Sequence, residues 1–317
     1  MATAEASDIW SALPYADFRP SLETLQLWTQ VVGKVRLKTT PWLNHSWHVT
    51  LFVSARGLTT PLISHGELSF EMEFDLIDSA LVIRVSNGSS REVALAPKSV
   101  ATFYAEVGDA LQSLGLAVNI DRIPNEVPDP TRFDEDVTQR PYDPHAAHSF
   151  WRALLQANRV FERFRTRFVG KSSPVHFFWG SFDLAATRFS GRGAPLHPGG
   201  VPHLADSVTR EAYSHEVSSA GFWPGGPGHE EAAFYSYAYP VPEGFAQARV
   251  SPSEAYFDSA LGEFLLPYDA VRNARDPDAA LLDFLESTYS AAADLAHWDR
   301  SALECEEGRF GQPRRVL

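Results

Sequence analysis

The 317-residue chain is 44% hydrophobic and 21% charged, and its net charge of −13 argues against a nucleic-acid partner, whose phosphates would repel it. No stretch approaches the roughly 18 consecutive apolar residues that cross a bilayer, and the start MATAEASDIW lacks the basic and then apolar regions of a secretory signal. Since the single cysteine, Cys305, excludes an intramolecular disulfide, we expect a cytoplasmic protein of one large domain or two packed halves, with no membrane contact.

Four segments carry apolar residues at helical spacing. The first predicted helix, residues 21–37, begins behind Ser21, a good N-cap residue, and the second covers residues 98–114. The third, residues 144–169, and the fourth, residues 277–296, both open with Asp-Pro. In this dipeptide Asp supplies the N-cap oxygen and proline takes the first helical position, where its missing N–H costs nothing.

Between the first two helices the pattern changes to period two. The stretch SFEMEFDL places Phe70 and Met72 on one face and Glu71 and Glu73 on the other, which is typical of a half-buried antiparallel strand. WHVTLFVSA precedes it as a first strand, LVIRVS returns the chain, and a turn at Asn87-Gly88 leads to a last strand. The predicted unit is a helix, four strands in a meander, and a helix.

The second half of the chain follows the same order, which predicts an internal repeat. VHFFWGSFDL corresponds to WHVTLFVSAR, AYSHEVSS to SFEMEFDL, AAFYSYAYP to ALVIRVSNG, and GEFLLPY to REVALAP. We therefore predict an α+β fold of two tandem α-β4-α repeats, with antiparallel meander sheets and helices packed on one face. The first repeat covers residues 1–122, a Pro- and acid-rich linker covers 123–142, and the second repeat covers 143–317.

Polar side chains interrupt the second repeat where the pattern would otherwise be regular, and such local conflicts mark functional sites. His176, Asp183 and Arg188 lie among aromatic residues in SPVHFFWGSFDLAATRFSG, and His215 and Glu216 lie in AYSHEVSS. The long connections SGRGAPLHPGGVPHLADS and GFWPGGPGHEE flank these strands, and loops of that length are lids, binding loops or disordered segments.

These five polar residues form the candidate catalytic set. On neighbouring strands His176 and His215 would face the same side, whereas Glu216 would point to the other face unless a bulge intervenes. This parity favours pairing His176 with His215, or Glu216 with Arg188. Two imidazoles and a carboxylate suit zinc or non-haem iron, so His176, His215 and Glu216 are tentative ligands of a divalent metal. A histidine opposite a carboxylate such as Asp183 suits acid-base chemistry instead, and the alternative for each residue is a paired position in the core.

Aromatic residues and one lysine are the candidate substrate-binding groups. Trp179 and Trp223 would form apolar walls, Tyr237 would line the same cleft, and Lys34 would bind an anionic group between the halves. His45 and His48 in NHSWH form only a weak zinc signature, because in an extended segment they point to opposite faces. The chain has no P-loop, no G-x-G-x-x-G after a strand, no H-E-x-x-H and no G-x-S-x-G.

Four long motifs resemble the bacterial family DUF5996, a domain of unknown function. They are WSALPYADFRPSLETLQLWTQVVGKVRL, NHSWHVTLFVSARGLTT, SPVHFFWGSFDLAATRFSG and REAYSHEVSSAGFWPGG. The resemblance covers nearly the whole chain and implies a bacterial cytoplasmic protein, but it implies no activity, cofactor or catalytic residue. Three hypotheses stay open: an enzyme or metal-dependent protein acting on a small substrate, anionic if Arg188 orients it; a non-catalytic small-molecule binding protein with an aromatic cleft; and a structural or interaction module.

Overall fold

A computed structural model describes residues 9–314 of the chain. Within this range, seven helices and two six-stranded antiparallel sheets form the fold, which confirms the predicted α+β class. The helices are α1 (Tyr15–Thr39), α2 (Val100–Ser113), α3 (Pro144–Arg165), α4 (Asp206–Ala212), α5 (Tyr268–Arg272), α6 (Pro277–Leu295) and α7 (Arg300–Leu303). The strands are β1 (Phe52–Val53), β2 (Gly57–Thr59), β3 (Ile63–His65), β4 (Leu68–Asp75), β5 (Ala80–Val85), β6 (Ser90–Ala94), β7 (His176–Phe178), β8 (Asp183–Gly193), β9 (His215–Trp223), β10 (Ala233–Tyr239), β11 (Tyr256–Asp258) and β12 (Glu263–Pro267).

The starts of two helices agree with the sequence-based prediction, and the start of a third does not. Asp143 caps α3 by accepting a hydrogen bond from the backbone N–H of His145, and Asp276 caps α6 in the same way, as predicted. The predicted start of the first helix at Ser21 is wrong, because α1 begins at Tyr15 and Phe18 is buried on its first turn. The Ser21 hydroxyl instead accepts a hydrogen bond of 2.8 Å from the backbone N–H of Asp143.

The first sheet has the strand order β1-β2-β4-β5-β6, with β3 also paired to β4. On its inner face Phe74 stacks on Phe103 of α2, which stacks on Trp28 of α1. On the outer face Arg84 of β5 approaches the Glu73 carboxylate at 2.8 Å. The period-two interpretation of SFEMEFDL is therefore confirmed, although the sheet holds six strands and not the predicted four.

The second sheet has the order β7-β8-β9-β10-β12-β11, also with six strands where four were predicted. One face packs on α3 and α6. There Phe222 of β9 contacts Phe150 of α3, and Phe234 of β10 contacts Phe161 of the same helix. The pairing of β8 with β9 is irregular between Phe189 and Gly193, as at a β-bulge.

The two sheets meet edge to edge. Leu51, just before β1, and Phe177 of β7 exchange two backbone hydrogen bonds, of 2.9 Å and 2.7 Å. Helices α1 and α3 pack together beside this junction, and one hydrophobic cluster extends from Trp10 to Trp298. Both halves run helix, strands, helix, but the tandem repeat and its domain boundaries stay predictions. Between residues 9 and 314 no helix has both the length and the apolar composition needed to cross a membrane.

Candidate functional site

The face of the second sheet that points away from α3 and α6 forms the floor of a cavity of about 780 Å³. Side chains alternate along a strand, so every second residue of neighbouring strands faces this space. The floor residues are Asp183, Ala185, Thr187 and Phe189 from β8, Val217, Ser219 and Trp223 from β9, Ala233, Tyr235 and Tyr237 from β10, and Glu263 and Leu265 from β12.

Two irregular segments and α4 cover this floor. The Gly/Pro-rich connection after β8 contributes Val201 and Leu204, and the predicted linker contributes Asn125 and Glu126. The two segments are joined by a hydrogen bond of 2.9 Å from the Glu126 backbone N–H to the Pro202 carbonyl. The connection therefore covers the cavity, and the predicted linker forms part of its wall.

Large aromatic side chains form the remaining walls. Trp42 and Trp47 follow α1, and Phe178, Trp179 and Tyr213 flank the sheet. The indole N–H of Trp179 donates a hydrogen bond of 2.8 Å to the Val49 carbonyl. Helix α1 accommodates this indole at a glycine, residue 33, where any Cβ would overlap the ring.

Three carboxyl groups converge at one end of the cavity: Asp183 from β8, Glu126 from the linker and Glu263 from β12. We call them the carboxyl cluster. Asp183 accepts hydrogen bonds from the Ser181 and Tyr235 hydroxyls. The glycine at position 221 of β9 makes the second bond possible, because a Cβ there would overlap the Tyr235 ring.

The cluster is electrostatically unusual. Burial, followed by the charge of Asp183, raises the pKa of Glu126 and that of Glu263 to about 7. Burial also raises the pKa of Asp183, although its two hydrogen bonds oppose the shift. Within residues 9–314 neither glutamate carboxyl has a hydrogen-bond or ion-pair partner. These groups therefore change their protonation near neutral pH.

A family model for DUF5996, a family of unknown function, matches residues 10–305. The chain belongs to the DUF5996 family. No curated protein and no solved structure matches the chain. The DUF5996 assignment confirms the resemblance of the four long motifs and assigns no activity, so the chemistry of this member has to be argued from its own residues.

In this DUF5996 protein the structure places several of the candidate residues on the cavity wall. They are Asp183, Trp179, Trp223, Tyr237 and Lys34. The Lys34 ammonium lies 3.1 Å from the Asp121 carboxylate, and the lysine side chain is 3% exposed. Its charge is thus balanced within the protein, and a substrate-binding role for these residues stays a prediction.

The two candidate histidines occupy different surroundings. His176 is fully buried, and its Nδ1 lies 3.1 Å from the Thr50 hydroxyl. Burial, with smaller contributions from Arg36 and Arg165, lowers the pKa of His176 to about 3, so its ring is neutral. The Nδ1 of His215 instead lies 3.0 Å from the Ser214 hydroxyl.

Arg188 lies on the helix side of the second sheet, away from the cavity. Its guanidinium carbon is 3.4 Å from the centroid of the Phe164 ring and 4.3 Å from that of Tyr289. A guanidinium nitrogen lies 3.3 Å from a carboxylate oxygen of Glu286. These contacts satisfy the charge of Arg188 inside the core.

The predicted pair of Glu216 with Arg188 is wrong, because Glu216 pairs with Arg192 at 2.7 Å. The irregular pairing beyond Phe189 brings Arg192 to this position. Nor are the tentative metal ligands brought together, since His215 and Glu216 point to opposite faces of β9. In the part of the chain that the structure describes, no group of three or more His, Cys, Asp or Glu residues is arranged to hold a metal ion.

Sequence reasoning missed two of the three members of the carboxyl cluster. Glu263 has a detectable signal, because in GEFLLPY it shares a strand face with Leu265 and so interrupts an apolar face. Glu126 has none, because it lies in a segment without a periodic pattern, and only the tertiary fold brings it to the sheet.

Proposed function

We propose that this protein binds a small organic molecule in the cavity of the second sheet. The observation that carries the proposal is the cavity itself, whose volume of about 780 Å³ lies within the roughly 300–1,000 Å³ usual for ligand sites. Apolar and aromatic side chains form most of its lining, and a few polar groups converge at one end. This combination is typical of a site that encloses a ligand body and orients it through one polar group.

Acid-base catalysis on that molecule is a second candidate function, supported by the pKa of about 7 for Glu126 and Glu263. A carboxyl group with a pKa near the working pH exchanges protons efficiently. If the protein is an enzyme, we therefore propose that the carboxyl cluster, and not His176 and Glu216, carries the acid-base chemistry. A divalent metal has no part in this proposal.

Native mass spectrometry of the purified protein, followed by extraction of any retained small molecule, tests the binding function. Replacing Ala185 on the cavity floor with phenylalanine places a bulky ring inside the cavity, and Ala94→Phe is the matched control on an exposed position of β6. We expect the wild type and Ala94→Phe to retain a molecule that Ala185→Phe loses while still unfolding cooperatively.

Equal retention by Ala185→Phe would contradict binding in the cavity. The chemical fate of the molecule separates the two candidate functions. Recovery of the same molecule after incubation supports binding alone, whereas conversion that is lost in Glu126→Gln supports acid-base catalysis.

A further inference from the structure

The carboxyl cluster lacks the positive charge that buried acids elsewhere in this protein possess. Asp75 pairs with Arg56, Asp136 with Arg140 at 2.7 Å, and each carboxylate is less than a tenth exposed. An ionised carboxylate removed from water is costly unless a cation or several hydrogen-bond donors compensate it. Glu126 and Glu263, which are only partly exposed, have neither within residues 9–314, so a proton, water or a bound cation has to compensate their charge.

A second, independent observation indicates an occupant of the same cavity. Thr209 of α4 lines the cavity and is 3% exposed, yet its hydroxyl has no hydrogen-bond partner in the described chain. The hydroxyl of Ser46, another lining residue, is also buried without a partner. Buried hydroxyls are usually hydrogen-bonded, and rotation of these two unpaired hydroxyls, which lie just behind the cavity wall, would turn them toward a bound molecule.

The basic residues of the cavity wall are Lys34, His45 and His203, and none of them is paired with the cluster. The Nε2 of His203 lies 3.3 Å from the Pro128 carbonyl. Lys34 is paired with Asp121. The ring nitrogens of His45 contact the Ala212 carbonyl at 2.8 Å and the Lys171 ammonium at 2.5 Å, so that histidine is engaged elsewhere. Three carboxyl groups without a cation of their own repel an anionic ligand, contrary to the anionic substrate that Arg188 and Lys34 had suggested.

We propose that the ligand of this cavity is an organic cation, an ammonium compound whose charged nitrogen is held by the carboxyl cluster and whose hydrocarbon body lies against the aromatic walls. This inference rests on the proposed binding function and names the chemical class of its ligand. An ammonium group donates several hydrogen bonds to carboxylates. Trp179, Trp223 and Tyr235 line the same cavity, and aromatic rings attract a cation that lies over their faces.

The affinity for such a cation should depend on pH in a defined direction. The charge of Asp183 acts on both glutamates and that of Asp258 acts on Glu263, whereas burial raises the pKa values of the neighbouring Tyr213, Tyr235 and Tyr237, so these three phenols stay neutral. The bound cation favours the ionised carboxylates, so binding lowers their pKa and releases protons. Affinity therefore rises as the pH increases through about 7, the pKa of Glu126 and Glu263 in the free protein, and levels off above it.

Matched probes that differ only in charge test the inference. Saturation-transfer NMR on the full-length protein compares 2-phenylethylamine with 2-phenylethanol and phenylacetate, and hexylamine with hexanol and hexanoate. We expect each amine to bind at least about tenfold more tightly than its alcohol, since hydrogen bonds between charged partners are about twice as strong as neutral ones. The carboxylates should not bind.

Two variants connect this preference to the cluster. The double variant Glu126→Gln, Glu263→Gln keeps the shape of both side chains and removes their charge, so amine affinity should fall about tenfold or more and its dependence on pH should disappear. Alcohol affinity should change little. The double variant Glu92→Gln, Asp109→Asn, at exposed positions of β6 and α2, is the control for the loss of two negative charges.

The failures of the two proposals can be told apart. Alcohols or carboxylates that bind as well as the amines, in a manner that Ala185→Phe abolishes, overturn the cationic ligand and leave the binding function in place. Stabilisation by Mg²⁺, Ca²⁺ or Zn²⁺ alone, with no binding of any amine, also overturns it. If no probe of any charge binds to the wild type and no molecule is retained on purification, the binding function itself is wrong.

Discussion

The outer faces of the two sheets both carry acidic residues, but they differ in how the acids are satisfied. In the first sheet Glu73 accepts hydrogen bonds of 2.7 Å from Ser54 and 2.8 Å from Arg84. At the second sheet, Glu263 of β12 and Glu126 of the linker that covers it have no such donors within residues 9–314. A fold that served stability alone would pair these acids or replace them with apolar residues. The proposed binding function accounts for this difference, because a ligand site needs groups that the fold itself leaves unpaired.

Because the acids of the first sheet are paired and those at the second sheet are not, ionisation has opposite effects on the stability of the fold in the two places. Burial alone would raise the pKa of Asp75 in the first sheet, but hydrogen bonds from Arg56 and from the backbone N–H groups of Asp78 and Ile77 lower it below its usual value. Ionised Asp75 therefore stabilises the fold. Glu263 in the second sheet has its pKa raised to about 7, so its ionised form destabilises the fold.

The largest effect is expected on the helix side of the second sheet, where the buried guanidinium of Arg188 is paired with Glu286. Arg188→Ala should lower the free energy of unfolding by about 3–5 kcal/mol, because the buried bonds to Glu286 and to the Phe164 carbonyl are lost and two aromatic rings lose their contact. Urea unfolding measures the change. Arg192→Ala is the control: this side chain is 47% exposed, and its loss should cost about 1 kcal/mol or less. If the Arg188→Ala variant kept its stability but no longer bound a cavity ligand, Arg188 would have to be part of the binding site, contrary to its position in the structure.

The next effect concerns the paired acid of the first sheet. Asp75→Asn should lower the free energy of unfolding by about 2 kcal/mol, because the neutral amide replaces a buried carboxylate that accepts from Arg56 and from two backbone N–H groups. Chemical denaturation at pH 7 measures it, with the exposed Asp78→Asn as control. If Asp75→Asn and Asp78→Asn lowered the free energy of unfolding equally, the paired acid of the first sheet would not stabilise the fold in the way that its contacts indicate.

Gly221→Ala should destabilise the protein by about 1–3 kcal/mol and weaken ligand binding, because the added methyl group displaces the Tyr235 ring from Asp183. Gly108→Ala in α2 is the matched control: a Cβ there meets no atom within 4 Å, so the same change should stabilise the helix by about 0.5–1 kcal/mol. Thermal unfolding distinguishes the two signs. If Gly108→Ala also destabilised the protein, adding a methyl group to a glycine would be costly even where no side chain is displaced. The loss of stability in Gly221→Ala would then not be evidence for displacement of the Tyr235 ring.

The smallest effect has the opposite sign to the first two. Replacing Glu126 and Glu263 with glutamine should raise the free energy of unfolding at pH 8 by about 1 kcal/mol, because two unpaired charges are removed from a partly buried site. Guanidinium unfolding of both proteins measures it. A loss of stability would mean that the carboxylates are satisfied in solution.

The wild type should also show a matching dependence on pH. Because the folded pKa of each glutamate is raised from 4.5 to about 7, the folded state binds more protons than the unfolded state between these values. Their contribution to stability is therefore present at low pH and is lost as the pH rises towards 7. Unfolding measured from pH 5 to pH 8 should show this slope in the wild type and a shallower one in the double glutamine variant.

Features that depend on a few neighbouring residues were predictable from the sequence. Asp143 and Asp276 cap their helices as predicted, because the cap involves only the next two or three residues. The alternation of SFEMEFDL likewise needs only a strand with one buried face. Ser21 shows the limit of this approach, since a good N-cap residue lies inside α1 and bonds to a helix start far along the chain.

Features that depend on strand register and tertiary contacts were not predictable. The irregular pairing in β8 gives Glu216 the partner Arg192, and no local pattern distinguishes Arg192 from Arg188. Whether His176 faces a ligand or the core depends on which side chains cover it, and here Thr50 and the rings around it enclose it. Glu126 joins the candidate site only because the linker folds across the second sheet.

The two backbone hydrogen bonds between Leu51 and Phe177 have a consequence for the integrity of the chain. Each half supplies the other with the neighbour that its edge strand lacks. Proteolysis in the segment between α2 and α3, followed by separation of the pieces, would expose one additional strand edge on each fragment, at β1 and at β7. Exposed edges of this kind pair with other chains, so the fragments should aggregate where the intact protein does not.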